Sequence, residues 1–372
     1  MWWALFDNEW RKLWARRGRL LVAGTLALAA LTVFATWRGQ AAQEANLRQQ
    51  AALNARALAA LRARAAAAPP AQQTLIHEQE AAMAANLVNL EGVPVRQQLQ
   101  EDRRLARHAP RGQAGALEET VALDRYRLAH GIIRLRPWHT GAWRLAGLVL
   151  TGPAILGYAL LALGVTADLV AGEVQDGTLS FLFLHGQRRG AIYLAKLATG
   201  ITAGWGSLAG GSLLTWLGAA LLVGTGSPWA PHVVGARLVK VTGSFPPVQP
   251  AGPPFPILPQ WAFDLWALVL ALVAAGVWVA VVLALSRLTR SVTVTLVLGT
   301  AGLIGGLFLS LAGWAGLLSP TVHLAPMADW DGSTAGVCGI PAAGLPLGLG
   351  VLAGWGLAAL AYGWSRFGRL EP

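Results

Sequence analysis

The chain has 372 residues, a net charge of +11, 55% apolar residues and only 13% charged ones. A soluble domain carries about 25% charged residues, so the composition excludes an ordinary soluble domain and places the chain in a bilayer. The basic surplus is almost all arginine, with Lys12, Lys196 and Lys240 the only lysines; in a membrane protein such residues are expected at anionic lipid headgroups, not on nucleic acid.

Residues Trp2 to Gly18 read as amphipathic. Trp3, Phe6, Trp10, Leu13 and Trp14 recur at steps of three and four, with Asn8, Arg11 and Lys12 on the other side. This predicts an interfacial helix over 1–19, lying on the membrane with its arginines towards headgroups. The first span follows at about Leu20 to Thr36 (20–37 with its flank), bounded by Arg19 and Arg38. It is about the length of a full crossing and no small-residue cleavage site follows it, so a retained signal-anchor is expected.

A polar region then runs over 38–142. It opens with an Ala-rich helix from about Gln40 to Ala68, stopped by Pro69-Pro70. Leu47, Ala51, Asn54, Leu58, Leu61 and Ala65 form a stripe at three- and four-residue steps. Either a coiled-coil seam or packing within the region fits that stripe, and its alanines and Asn54 favour the second. Further helices are predicted near 72–90, 94–108 and 115–130, with Gly92-Val93-Pro94 as a break.

Residues 143–372 hold the remaining spans. The second covers about Leu145 to Val165 and contains Pro153, which membrane helices tolerate. After a turn at 171–190 comes a third, Tyr193 to Val223, and after a Pro-rich loop (Pro228 to Pro259) a fourth, Phe263 to Leu285. The fifth runs about Val292 to Leu318 and the sixth Leu345 to Trp364. The predicted fold is therefore an all-α integral membrane protein of six transmembrane helices, with an N-terminal interfacial helix and a helical insertion between spans 1 and 2.

Six spans place both termini on one side. The N-tail, the turns after spans 2 and 4 and the C-tail hold twelve basic residues, against Arg237 and Lys240 in the two shorter opposite loops. The positive-inside rule then makes both termini cytoplasmic and the 38–142 region extracellular.

No catalytic constellation stands out. The chain has no Gly-x-x-x-x-Gly-Lys-Ser/Thr loop, no His-Glu-x-x-His and no Gly-x-Ser-x-Gly. Asp168 and Lys196 fall at cytoplasmic span ends and Asp264 at an outer one, whereas an ion-coupled carrier keeps a carboxylate at mid-membrane. Energy is expected from another subunit, and this chain is not expected to be an enzyme or to hold a cofactor. His323, Met327, Asp329, Asp331 and Cys338 match no metal-ligand spacing and read as an exposed loop; His77, His108, His130 and His139 are likewise not read as ligands. With Cys338 alone, no internal disulfide exists. Gly200-x-x-x-Gly204, Gly206-x-x-x-Gly210, Gly302-x-x-x-Gly306 and Gly350-x-x-x-Gly354 are expected to serve close packing of spans within the chain.

The turn after span 2 is the specific feature. Gly177 breaks the preceding helix, Thr178 is placed to cap a short helix over 179–184, and Gly186 can end it. Its apolar residues (Leu179, Phe181, Leu182, Phe183, Leu184) are flanked by Glu173, Asp176, Arg188 and Arg189. On these residues alone, a helix resting on the bilayer and a helix built for a partner are equally good readings.

Glu173, Gly177-Thr178, the Leu/Phe run, Arg189 and Lys196 stand at offsets similar to those of permease subunits of type-2 (ABC-2-like) ABC transporters. The chain departs from that pattern where the family usually has proline, carrying Gly186 followed by Gln187-Arg188. Glu9 and Lys12, ahead of a basic and aromatic entry to span 1, also resemble the family's N-terminal helix, and the long first loop is similar to one subset of these permeases. The motifs that carry the resemblance do not extend into residues 38–142.

The resemblance implies a half-transporter. Two permease chains, as homo- or heterodimer, each dock a cytoplasmic ABC ATPase subunit that carries ATP and Mg, and move a substrate outward across a bacterial plasma membrane. Glu173, Gly177, Thr178, Arg188, Arg189 and Lys196 would serve ATPase coupling, with Glu9 and Lys12 in the interfacial helix. Charge-free spans favour a lipophilic or amphipathic substrate. The alternative is a membrane-anchored sensor or scaffold acting through its extracellular helical domain; an intramembrane enzyme has only scattered hydroxyls such as Thr199, Thr202, Ser207 and Thr215 to work with.

Overall fold

The computed structural model describes residues 2–67, 69, 73, 76–77, 79–80, 93–109, 111–135, 140–178, 188–241, 247–309, 311 and 313–368. Among these, six helices are long and apolar enough to cross a membrane, as lipid requires of a spanning chain. The predicted helix near 72–90 and the short helix at 179–184 lie largely or wholly outside the described residues.

Helix α1 (Trp2–Leu13) passes through a π-helical turn, Trp14–Gly18, into α2 (Arg19–Ala67). The structure differs here from the predicted separation into interfacial helix, span and outer helix: α2 runs on for 49 residues without a break. At 1.5 Å per residue that is about 74 Å, more than twice the roughly 30 Å hydrocarbon layer. Arg38-Gly39 looked like a boundary, yet one Gly inside a helix costs only about 1 kcal/mol relative to Ala. Nothing else in the stretch breaks helix before Pro69. Leu21, Thr25, Ala29 and Val33, each four residues on from the last, are buried, while Leu20, Val22, Leu26, Leu31 and Phe34 are exposed. That i, i+4 ridge is the face turned to the bundle. Further along, the Leu47-to-Ala65 stripe is the half-buried face of an otherwise exposed helix, with Leu58 buried.

Beyond it come α3 (Val95–His108) and α4 (Arg111–Ala129), close to two of the predicted helices, with the strands β1 (Val93–Pro94) and β2 (Arg134–Leu135) paired antiparallel. Helix α4 rests on the Pro-rich loop, whose strands form two antiparallel pairs: β3 (Pro231–Val233) with β6 (Ile257–Pro259), and β4 (Leu238–Lys240) with β5 (Val248–Pro250). The His130 ring lies between Tyr126 at 3.9 Å and Trp229 at 5.5 Å, which fastens the two regions together.

The second span is not one helix. The shorter apolar helix α5 (Ala142–Thr151) leads into the crossing itself, α6 (Ala154–Thr166) followed by α7 (Asp168–Gln175), so the crossing lies further along the chain than the predicted Leu145 to Val165. Proline is accommodated here only by a break, because Pro153 lacks an N–H and its ring would clash with the carbonyl four residues back. Gly152 turns extended (φ −99°, ψ −171°), and its N–H donates to the Leu148 carbonyl at 2.8 Å. At Ala167 the chain stays helical (φ −56°, ψ −32°), so α6 and α7 are nearly continuous. Ser286 secures that joint, donating to the Ala167 carbonyl at 2.8 Å and accepting from the Ala171 N–H at 3.0 Å.

Spans 3 and 4 are α8 (Arg189–Leu222) and α9 (Gln260–Thr289). A Cβ on Gly200 would meet Val279 at 2.9 Å, so this glycine lets span 3 approach span 4, as expected. Gly206, Gly210, Gly302, Gly350 and Gly354 have nothing within 4 Å and do not serve packing among the described residues. Span 5, α10 (Val292–Leu309), ends nine residues earlier than predicted. Three short helices follow, α11 (Trp314–Leu317), α12 (Pro326–Trp330) and α13 (Ser333–Cys338), before span 6, α14 (Leu345–Gly368). Glu9 meets Lys196, and Trp364 covers Gly190. The N-terminal helix, the start of span 3 and the end of span 6 therefore share one end of the bundle, called basal below.

Candidate functional site

Four charges from three separate segments meet at the basal end. Glu9 and Lys12, three apart on α1, face the first turns of span 3, where Lys196 points back at them. Glu173 enters from the last turn of α7. Lys196 Nζ donates to Glu9 Oε2 and to Glu173 Oε2, both at 2.7 Å. Lys12 Nζ donates to Glu173 Oε1 at 2.8 Å and to Glu9 Oε1 at 3.1 Å. Each carboxylate thus spends one oxygen on each ammonium, and the charges alternate around a closed, neutral ring.

The ring is dry on one side. Lys196 is 0% exposed and Glu9 and Glu173 are 3% exposed, whereas the Lys12 side chain is one-third exposed. A buried ion retains several kcal/mol of desolvation cost even after relaxation, and only tight pairing with satisfied hydrogen bonds offsets it. Removing one member strands its neighbours, so the ring is either assembled or open. Two outer pairs flank it: Arg17 Nε to Asp168 Oδ2 at 3.3 Å, and Arg16 to Asp176 Oδ2 at 2.9 Å between half-exposed side chains. The second is a surface pair worth little in stability, but both tie the entry to span 1 onto α7.

The same Glu173 governs the backbone that follows. Gly177 takes φ +67°, which glycine adopts at no steric cost. Its N–H points to the Val174 carbonyl at 3.3 Å and the Thr178 N–H to the Glu173 carbonyl at 3.0 Å. These are the two bonds of a Schellman helix end. Gly177 breaks the helix as its sequence position implies; the observed role of Thr178 is to close α7. Capping of a helix at 179–184 falls outside the described residues. On the far side of that segment Arg188 is extended (φ −65°, ψ 123°) and accepts the Ala191 N–H at 2.9 Å, with Arg189 the first residue of span 3.

Glu9, Lys12, Glu173 and Lys196, singled out one by one in the sequence, are thus one constellation, and Gly177 and Thr178 lie directly beneath it. Arg188 and Arg189 sit at the other mouth of the turn, outside the ring. The arrangement holds no nucleophile beside a base. Its chemical capacity is mechanical, a clasp that fixes α1, α7 and span 3 in one register.

Sequence reasoning missed a second buried group. The segment read as an exposed loop is folded inward: His323, Met327 and Asp329 are buried. His323 Nδ1 lies 2.8 Å from Asp329 Oδ2, and its Nε2 lies 2.8 Å from the Leu317 carbonyl. Both partners are acceptors, so the ring carries a proton on each nitrogen when Asp329 is ionised. Burial acts to lower the His323 pKa, but the bond to Asp329 and its charge outweigh that, and the pKa is raised. Gly348 of span 6 packs on the pair with no room for a Cβ. The signal available was a His and an Asp six residues apart in an apolar stretch, with a glycine-rich helix to cover them. Among the described residues no group of three or more His, Cys, Asp or Glu is gathered that could hold a metal ion.

A family model described as ABC-2 family transporter protein matches residues 3–331, which include the ring, the turn and five of the spans. No curated protein and no solved structure gives a significant match.

Proposed function

The chain belongs to the ABC-2 family of transporters as a multi-pass membrane permease, and from that premise we propose that it is half of an ATP-driven exporter in a bacterial plasma membrane. It pairs with a second copy or a paralogue, and each permease chain docks a separate ATPase subunit that carries the ATP and Mg. Both termini and the basal ring face the cytoplasm, the distal helices face outward, and the cargo is lipophilic or amphipathic.

The observation that carries this reading is the position of the ring against Gly177 and Thr178, whose N–H groups close the helix that carries Glu173. An ATPase seated on the turn that begins there pushes on Gly177 and Arg188, and the ring passes the displacement to α1 and span 3 together. The coupling is a difference in ATPase affinity between two arrangements of these helices. Glu173, Gly177, Thr178 and Lys196 set the geometry of the turn, Arg188 and Arg189 meet the ATPase, and Glu9 and Lys12 bring the N-terminal helix into the movement. The chain contains no phosphate-binding loop of its own.

Purification of the tagged chain from its native membrane in mild detergent tests this. The expected result is a stoichiometric ATPase subunit that is lost on Arg188→Glu/Arg189→Glu. A chain that purifies alone, without ATP hydrolysis in any fraction, transfers the function to the distal helices as a sensor or scaffold.

A further inference from the structure

The break in span 2 opens onto a cavity of about 410 Å³, within the usual range of roughly 300–1,000 Å³ for small-molecule sites. Leu307 of span 5 and the inward-folded segment from Thr321 to Cys338 complete the lining. Its lining includes the aliphatic Leu156, Leu307 and Leu324 and the hydroxyl-bearing Thr151, Thr321, Ser333 and Thr334. The Thr151 hydroxyl donates to the Gly147 carbonyl at 2.9 Å and so meets a ligand as an acceptor, and Thr321 Oγ1 lies 2.8 Å from Ser319 Oγ. No carboxylate, ammonium, guanidinium or imidazole lines it among the described residues.

Its depth follows from the helix. Gly152 lies 21 residues above Glu173, about 32 Å at the helical rise, against a hydrocarbon layer of roughly 30 Å. The cavity therefore lies at the distal end of the Ala154–Gln175 crossing.

We propose that this cavity binds a single-chain amphipath with an uncharged, hydroxyl-bearing head: its chain lies against Leu156, Leu307 and Leu324, and its head meets Thr151, Thr321 and Thr334. Binding stands on the cavity alone; that the molecule is cargo and not a resident lipid rests on the permease reading. A charged head finds no counter-ion in the cavity and is disfavoured by the cost of a buried, unpaired charge.

Cys338 lines the cavity and is the sole cysteine of the chain, so it reports occupancy directly. The permease with its ATPase, in phosphatidylcholine nanodiscs, is alkylated with N-ethylmaleimide with and without a monoacylglycerol. Roughly tenfold slower alkylation of Cys338 with the monoacylglycerol is expected, as 1.4 kcal/mol of occupancy implies. No such protection is expected from the lysophosphatidylglycerol of equal chain length. Ala328→Phe, which fills the cavity, should give the slow rate without any ligand, with an unchanged melting temperature as the check on folding. An alkylation rate indifferent to the monoacylglycerol, or protection equally strong from the charged analogue, overturns the proposal. ATP and Mg should release the protection; protection that survives turnover overturns the cargo assignment and leaves a lipid site, and a chain that binds no ATPase but is still protected shows the site without the exporter.

Discussion

Glu9 Oε2 lies 2.7 Å from Lys196 Nζ, although 187 residues separate them in the chain. Both are buried, and each has a second partner of opposite sign in the same ring. A bond of this kind joins the first helix to the third span before any lipid or partner is considered.

Lys196→Met should cost about 3–5 kcal/mol, because it leaves Glu9 and Glu173 buried with only the partly exposed Lys12 between them. Replacing the whole ring (Glu9→Gln, Lys12→Met, Glu173→Gln, Lys196→Met) should recover most of that loss, since a buried ion network contributes little net stability over a neutral one of similar volume. Melting of the detergent-solubilised chain measures both. Equal destabilisation of the single and quadruple variants would contradict the ring as drawn.

Gly177→Ala forces an L side chain into a left-handed backbone and should cost about 1–2 kcal/mol. Gly177→Asn, which tolerates that region better, should be milder. The prediction is that transport-coupled ATP hydrolysis in reconstituted membranes falls further with Ala than melting does. A proportional loss of the two would reduce Gly177 to a local stability element.

His323 has a folded-state pKa above its unfolded value near 6.5. Its contribution is therefore complete below 6.5 and disappears as pH rises through the raised folded value. Wild-type melting should fall across that alkaline-going interval, and His323→Gln should flatten the slope. A wild-type curve that rises with pH in the same interval would be the wrong sign for this pair.

Orientation is open to thiol labelling in a Cys338→Ser background. A membrane-impermeant maleimide added to intact cells should modify Gln49→Cys, on the exposed face of α2, and should reach Ser365→Cys only after permeabilisation. The reverse pattern would invert the proposed topology.

The spans were legible because a bilayer demands long apolar runs and the sequence contains six. The ring was legible only in parts. Glu9, Lys12, Glu173 and Lys196 each stood out, but nothing in a single sequence says that a residue near position 10 meets one near 196. The division of span 2 had its signal in Gly152-Pro153, a dipeptide that removes a donor and relaxes the backbone at one point. The burial of His323 and Asp329 was not legible, because two polar residues in a loop look alike whether they face water or each other. The reach of α2 past Arg38 was hidden by a charge that reads as a membrane edge but does not end a helix.

That unbroken α2 has a mechanical meaning. Its first turns lie just past the charged ring, and its last lie far outside any bilayer. A rod of 49 residues, about 74 Å long, turns a tilt of roughly 5° at one end into a sweep of about 6 Å at the other. A rearrangement too small to repack the basal clasp would still arrive at the far end of α2 as a stroke longer than a helical turn.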